Sequence, residues 1–159
     1  MEQLERTERY LKRLRTAYAG MLTDWGNRSE YDDDVHTFFI HCYHVRDWII
    51  HLNKVGLTAS EVDKFIESKV CLRICADLAN GVKHCKLTRG TRSGEKPHVS
   101  GRRYESSMWF VNGGGGEVIK AKYTVSTATG IIDALELAEQ CFSAWQELIN
   151  DLRFLAKKM

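Results

Sequence analysis

The chain has 159 residues, of which 43% are hydrophobic and 28% charged, and its formal net charge is +2. These are the proportions of a globular protein that can bury one hydrophobic core. No apolar run approaches the ~20 residues that a membrane-spanning helix needs, and residues 1–6 include three charged side chains and contain no apolar signal core. We therefore predict a single domain over residues 1–159, located in the cytoplasm and without a membrane partner.

Apolar residues at three- and four-residue steps predict a largely helical N-terminal part. Three consecutive aspartates at 32–34 place negative charge near the start of the second helix, where the helix dipole favours it. Thr58 and Glu61 have the spacing of a capping box, which predicts the start of a short third helix. The predicted helices cover residues 2–22, 31–54, 59–67 and 68–87.

The pattern changes after a predicted loop over residues 90–101. Residues 104–111 and 117–126 are rich in aromatic and β-branched side chains and flank the run Asn112-Gly113-Gly114-Gly115-Gly116, which predicts a β-hairpin with a flexible tip. The glycine run lacks the Lys-Ser/Thr of a phosphate-binding loop. A last helix is predicted over 131–157. The fold class is therefore mainly all-α: an antiparallel four-to-five-helix bundle with a β-hairpin inserted before the C-terminal helix.

The five cysteines are odd in number, form no Cys-x2-Cys pair and mostly fall within apolar helical patterns. This usage is typical of buried free thiols in a reducing compartment. They are Cys42, Cys71, Cys75, Cys85 and Cys141.

Residues 46–51 combine a permanent cation, a carboxylate and an imidazole within one predicted helix. The imidazole of His51 can transfer a proton, and the guanidinium of Arg46 can stabilise a phosphate that gains charge. Asp47 precedes His51 by four residues and can orient its ring. Arg46, Asp47 and His51 are therefore candidate catalytic residues for metal-free RNA cleavage.

Arg46 and His51 diverge by about 140° on an ideal straight helix. One subunit therefore does not aim both side chains at a single atom unless the long arginine swings round. Otherwise a second subunit has to complete the site. This mismatch predicts a homodimer with a composite site.

A second polar set lies on the helix predicted over 68–87 and in the basic segment that follows it. Between residues 83 and 103 the sequence carries seven Lys or Arg against one Glu, which is either a phosphate-binding patch or a solvated loop. Asn80 and His84 lie four residues apart and belong either to a buried hydrogen-bond network or to the wall of a site. The candidate substrate-binding residues are Asn80, Lys83, His84, Lys86 and Arg89.

Two histidines, His41 and His44, lie three residues apart and could ligate a metal ion with Asp47 or His51. No second helix offers a matching Glu-x2-His partner. The sequence therefore predicts no metal and no cofactor.

The sequence resembles the HEPN superfamily of small, all-helical domains, which are frequently dimeric. The resemblance rests on the motif Arg46-Asp47-x3-His51 and on the segment Ala79-Asn80-x2-Lys83-His84. It implies a metal-independent endoribonuclease of a toxin–antitoxin or phage-defence system, with RNA as substrate and an antitoxin or defence-system protein as a further partner.

Specific roles follow from this resemblance. His51 would move the proton of the 2′-hydroxyl or of the leaving oxygen, Arg46 would stabilise the phosphorane, and Asp47 would orient one of them. The alternative is a non-catalytic HEPN-like module that binds a protein or a nucleic acid. In that case Arg46 and Asp47 form a structural ion pair.

Overall fold

The computed structural model describes residues 2–22, 28–52, 56–83, 90–94 and 96–156. These residues form five helices, Glu2–Ala19 (α1), Arg28–Leu52 (α2), Ala59–Ser68 (α3), Val70–Lys83 (α4) and Ala134–Ala156 (α5). They also form four strands, Met21–Leu22 (β1), His98–Val111 (β2), Gly114–Thr127 (β3) and Gly130–Asp133 (β4). The prediction of a mainly helical fold is confirmed, and among the described residues no helix is long and apolar enough to cross a membrane.

Helix α2 lies at the centre of the helical layer and packs against the other four helices. Its apolar residues at three- and four-residue steps are buried except for the exposed Leu52, because residues at these steps face the same side of a helix. The buried members are Val35, Phe38, Phe39, Cys42, Val45 and Ile49. The predicted capping box is also present: the Thr58 amide donates to Glu61 Oε2 at 2.8 Å, and the Glu61 amide donates to Thr58 Oγ1 at 3.3 Å.

The sheet is larger than the predicted hairpin insertion and forms a second layer. Strand β3 pairs antiparallel with β2 along one edge, and with both β1 and β4 along the other. The side chains of β3 alternate between the core and the outer face, as the period of a strand requires. The core-facing residues are Ile119, Ala121, Tyr123 and Val125.

Several predicted boundaries were wrong, because short strands have too few residues to show the alternating pattern of a strand in the sequence. Helix α1 ends at Ala19, since Gly20 (φ 107°) breaks it and β1 follows. Residues 98–101, predicted as loop, belong to β2. Residues 130–133, of which 131–133 were predicted as helix, pair with β3, and Asp133 Oδ1 caps α5 by accepting from the Leu135 amide at 2.9 Å. The part of the predicted fourth helix beyond residue 83 lies outside the described residues.

The glycine run is mostly strand, so the turn of the hairpin is shorter than predicted. The turn consists of residues 112 and 113, and the three glycines that follow pair with residues 109–111 of β2. A Cβ atom at Gly116 would lie 2.9 Å from Nε1 of Trp109, and one at Gly115 would lie 2.9 Å from Cδ1 of Phe110. The aromatic rings thus cover the glycines, and a side chain at either position would displace a ring.

The aspartates at 32–34 do not mark the start of α2, which begins four residues earlier at Arg28. Two of them instead form ion pairs with other elements. Asp34 binds Arg13 of α1 at 2.9 Å, and Asp32 binds Arg102 of β2 at 3.0 Å. These pairs connect α2 to its neighbour α1 and to the sheet.

Tyr18 of α1 fills a gap along the edge of β3. On this edge β1 pairs with residues 118 and 119, and β4 pairs with residues 124–127. Between them, the Tyr123 amide donates to the Tyr18 hydroxyl at 2.9 Å, and the same hydroxyl donates to the Tyr123 carbonyl at 3.0 Å. Burial raises the pKa of Tyr18 to about 12. The Tyr18 side chain thus forms the two hydrogen bonds to the Tyr123 backbone that a neighbouring strand would otherwise form.

We expect Tyr18→Phe to lower the free energy of unfolding by about 1–3 kcal/mol, because it leaves both backbone groups of Tyr123 without that partner. Chemical denaturation at pH 7 measures the change. Tyr10→Phe on the same helix is the matched control, because no described residue is hydrogen-bonded to the Tyr10 hydroxyl, and it should stay within about 0.5 kcal/mol of the wild type. Equal losses in the two variants would contradict the assigned role of Tyr18.

Candidate functional site

Arg46 is held by two carboxylates. Its Nε and NH2 groups donate to Asp63 of α3 at 2.8 and 2.7 Å, and its NH1 group donates to Asp47 at 2.9 Å. The hydrogen bonds to Asp63 raise the pKa of Arg46, and the same bonds lower the pKa of Asp63. The guanidinium nitrogens that could otherwise donate two parallel hydrogen bonds to a phosphate are therefore already bonded to Asp63.

Arg92 extends this ion-pair group. Its NH1 group lies 2.7 Å from Glu67 of α3, and its NH2 group lies 3.4 Å from the same Asp63 that binds Arg46. The segment that carries Arg92 is fixed by a buried carboxylate, since Asp77 of α4 accepts from the Arg92 amide at 2.9 Å and from the Ser93 amide at 2.7 Å. Two arginines from distant parts of the sequence thus share one aspartate.

His51 lies apart from this group. It is exposed near the end of α2, and within the described part of the chain no hydrogen bond joins it to Asp47, whose carboxylate turns to Arg46 instead. Of the three candidate catalytic residues, Arg46 and Asp47 are therefore bonded to each other, and no described hydrogen bond joins His51 to either.

The candidate substrate-binding residues are only partly described. Asn80 is half-buried on α4, and Lys83 ends that helix. His84, Lys86 and Arg89 lie outside the described residues. Of the later basic residues, Arg92 is ion-paired as above, Arg102 binds Asp32, and Arg103 lies 3.1 Å from Glu105.

The structure brings together a cationic group that the sequence analysis did not single out. It lines a recess of about 530 Å³ between α1 and α2, which we call the α1 recess. Its lining residues are Arg6, Arg9, Tyr10, Lys12, Arg13 and His41. The signal was present in the sequence, because the basic residues of α1 recur at three- and four-residue steps and therefore share a face.

His41 forms the α2 side of the α1 recess. Its ring stacks on Tyr10 with a centroid distance of 5.0 Å, and Gln3 Nε2 lies 3.1 Å from its Nδ1 and donates to its carbonyl oxygen at 2.8 Å. Burial lowers the pKa of His41, and the neighbouring His44, Arg6 and Arg9 lower it further. The ring is therefore neutral at pH 7. With Gln3 donating to Nδ1, its Nε2 carries the proton and is a hydrogen-bond donor.

Comparisons with protein-family models, with curated proteins and with solved structures found no match for this chain.

We expect Asp63→Asn to lower the free energy of unfolding by about 1–3 kcal/mol at pH 7, because two arginines lose a charged partner. The pKa of Asp63 is lowered in the folded state. Its contribution is therefore complete above the pKa of an unfolded aspartate, about 4. The difference between variant and wild type should shrink as the pH falls below that value and the folded carboxylate gains its proton. Denaturant titrations at a series of pH values measure it.

The matched control is Glu139→Gln, which breaks the exposed pair between Arg15 and Glu139. Such a pair contributes at most about 1 kcal/mol. If Asp63→Asn costs no more than this control, the Arg46–Asp63 pair has no special structural role.

Proposed function

We propose that this protein is an RNA-binding module of HEPN-like type that holds the phosphate backbone in the α1 recess. The observation that carries the proposal is the convergence of four cations on one concave surface. Phosphate contacts supply most of the affinity in non-specific nucleic-acid binding, and side chains of Arg and Lys provide them. The cations of the α1 recess would bind the phosphates of RNA as well as those of DNA. The choice of RNA rests on the resemblance to the HEPN superfamily.

Three of the four cations of the α1 recess are available to a ligand, whereas Arg13 is held by Asp34 at 2.9 Å. Arg9 is exposed, and within the described part of the chain no carboxylate pairs with it. Arg6 pairs with Glu2, and Lys12 with Glu8 at 3.3 Å, but both pairs are exposed i, i+4 contacts on α1. Exposed pairs of this kind are weak, so a phosphate can replace the glutamate at little cost.

The contacts of Arg46 support a structural role for the motif Arg46-Asp47-x3-His51. A phosphate that bound Arg46 would have to displace the two-pronged contact with Asp63, and Asp63 would then keep only its longer contact with Arg92. Removing one member of a partly buried ion pair is costly, because the charge left behind loses its compensation. The non-catalytic alternative therefore fits the geometry around Arg46 better than the catalytic one.

We expect the double variant Arg6→Ala/Arg9→Ala to weaken binding of a single-stranded RNA oligonucleotide and to flatten its salt dependence. Each lost phosphate contact on a single strand removes about 0.7 from the slope of log K against log salt concentration, so the slope should change by about 1.4. Fluorescence anisotropy over a range of salt concentrations measures both quantities. A DNA oligonucleotide of the same sequence tests the preference for RNA.

The control is Arg102→Ala/Arg103→Ala, which removes the same charge from β2. It should leave the slope nearly unchanged, since these side chains do not line the recess. An equal effect of both double variants would mean that net charge, and not the recess, determines binding. Failure of the wild type to bind RNA at low salt would refute the proposal.

Endoribonuclease activity is the second candidate, and the position of His51 favours it. On α2 the residues His41, His44, Trp48 and His51 fall on one stripe that begins at the recess, and His51 is about 15 Å from His41 along the axis. The guanidinium of Arg6 lies 5.9 Å from the centroid of the Trp48 ring. RNA held in the recess could therefore run along this stripe to His51, with Arg6 as a cation beside the stripe.

If the protein cleaves RNA, His51→Ala should lower the rate by about 10²–10⁴-fold, the usual contribution of an imidazole acid or base. The products should carry a 2′,3′-cyclic phosphate, DNA should resist, and EDTA should have no effect. Gel analysis of cleavage with end-labelled RNA measures the rate. His98→Ala, which removes an exposed imidazole from β2, is the control.

Arg6→Ala and Arg46→Ala distinguish the two cations. If only Arg6→Ala loses activity, cleavage along the stripe on α2 is supported. If Arg46→Ala loses activity and keeps its fold, the composite dimeric site is supported. Cleavage that survives His51→Ala, or no cleavage by the wild type, would contradict the endoribonuclease candidate. The RNA-binding module would then be the only proposal that stands. The homodimer stays a prediction from the divergence of Arg46 and His51, and the antitoxin or defence-system partner stays a prediction of the resemblance.

A further inference from the structure

Three cysteines from three different helices meet in the hydrophobic core. Cys42 of α2, Cys75 of α4 and Cys141 of α5 are each fully buried, and their sulfur atoms all lie within 4.8 Å of one another. Their sequence positions are 33 or more residues apart. Only the packing of the helices therefore creates this group, which we call the thiol cluster.

We propose that the thiol cluster binds one Zn²⁺ ion, with Cys42, Cys75 and Cys141 as ligands. Tetrahedral zinc has Zn–S bonds of about 2.3 Å, which places ligand sulfurs roughly 3.8 Å apart. Sulfurs that already lie within 4.8 Å need a contraction of about 1 Å or less to reach that spacing. Rotation about the Cα–Cβ bonds, together with small helix shifts, is enough to provide it.

Cys71 is the nearest candidate for the fourth position. It precedes Cys75 by four residues, so the two side chains lie on the same face of α4 one turn apart. Its carbonyl oxygen accepts a hydrogen bond from Cys141 Sγ at 3.3 Å. The Cys71 side chain is also in contact with the Cys141 thiol. The spacing Cys71-x3-Cys75 was the signal available in the sequence.

A buried donor beside the cluster provides an independent observation. The side chain of Trp145 is fully buried, yet its indole N–H has no hydrogen-bond partner in the described structure. A buried N–H without an acceptor is costly. The Cys42 thiol is in contact with the indole of Trp145 as well as with the thiols of Cys141 and Cys75. A metal-bound thiolate at Cys42 would give the indole the acceptor that it lacks.

The charge balance favours a divalent ion. Three thiolates bring three negative charges into an apolar core, and Zn²⁺ neutralises two of them, whereas Cu⁺ would neutralise one. Uncompensated charge in such surroundings is expensive. Among the described residues no imidazole or carboxylate joins the group, and a sulfur-only ligand set suits zinc and excludes magnesium and calcium.

Binding is an exchange of protons for metal and involves no oxidation. Each ligand loses its S–H proton to solvent and forms one Zn–S bond, so that three protons leave. In the metal-free state two of the thiols donate to carbonyl oxygens, Cys75 to Phe39 at 3.5 Å and Cys141 to Cys71 at 3.3 Å. These carbonyls lie within helices, where a backbone amide one turn later also bonds to them, so they are not left without a partner when the thiols ionise.

The test uses reduced wild-type protein, freed of metal with a chelator and then loaded with Zn²⁺ or with Co²⁺ as a spectroscopic probe. We expect about one metal ion per chain, a thiolate-to-cobalt charge-transfer band, and a zinc shell of three or four sulfurs at about 2.3 Å by X-ray absorption. We also expect a higher midpoint of thermal unfolding with zinc, because the ion binds the folded state.

Cys42→Ser and Cys141→Ser should each abolish the charge-transfer band. Cys71→Ser should change the sulfur count from four to three if it supplies the fourth ligand. Cys85→Ser, which removes the remaining cysteine of the chain, is the matched control and should leave the band intact. Should the serine variants fail to fold, the X-ray absorption spectrum of the wild type decides alone.

Three results would overturn the proposal. The reduced, folded wild type binds no Zn²⁺. The bound zinc has a first shell of nitrogen or oxygen. The band disappears in Cys85→Ser but survives in Cys42→Ser, which would place the metal elsewhere.

Discussion

The arrangement of the helical layer depends on one shared carboxylate. Asp63 of α3 binds Arg46 of the central helix α2 through two hydrogen bonds and also contacts Arg92 of the 90–94 segment. Asp77 of α4 fixes that segment through its backbone amides. Charges of this kind are stable only as a complete set, because each one is partly removed from water and needs its partners. These contacts join α3 to α2 and the 90–94 segment to both α3 and α4.

This constraint also limits where the protein can meet an anion. The guanidinium of Arg46 is engaged by Asp63, and Arg92 is engaged by Asp63 and Glu67, so two prominent cations of the sequence serve the fold. The recess cations Arg6, Arg9 and Lys12, which are unpaired or only in weak exposed pairs, lie on the other side of α2, along α1. A structure of this kind separates cations that hold helices together from cations that face solvent, although both kinds look alike in the sequence.

The local patterns of the sequence were enough to predict the long elements. The apolar stripe of α2 and the capping box of α3 predicted helices that the structure contains, since both signals depend only on neighbouring residues. Strands β1 and β4 could not be predicted in this way. They have two and four residues, too few to show a period, and their pairing with β3 is what defines them. The ion pair between Arg46 and Asp63 could not be predicted either, because it depends on how α3 packs against α2. Helix geometry showed only that Arg46 points away from His51.

Helix α2 connects the two proposed sites through adjacent residues with opposite surroundings. His41 faces the α1 recess, whereas Cys42, about 100° further round the helix, lies in the thiol cluster. A metal ion on Cys42 would tie this turn of α2 to α4 and α5, and so fix the backbone that presents His41. The coupling would be mechanical and not electrostatic, because no residue belongs to both the recess and the cluster. Loss of the metal would therefore loosen the recess without changing the charges that line it, and the salt dependence of RNA binding would be preserved even where its affinity falls.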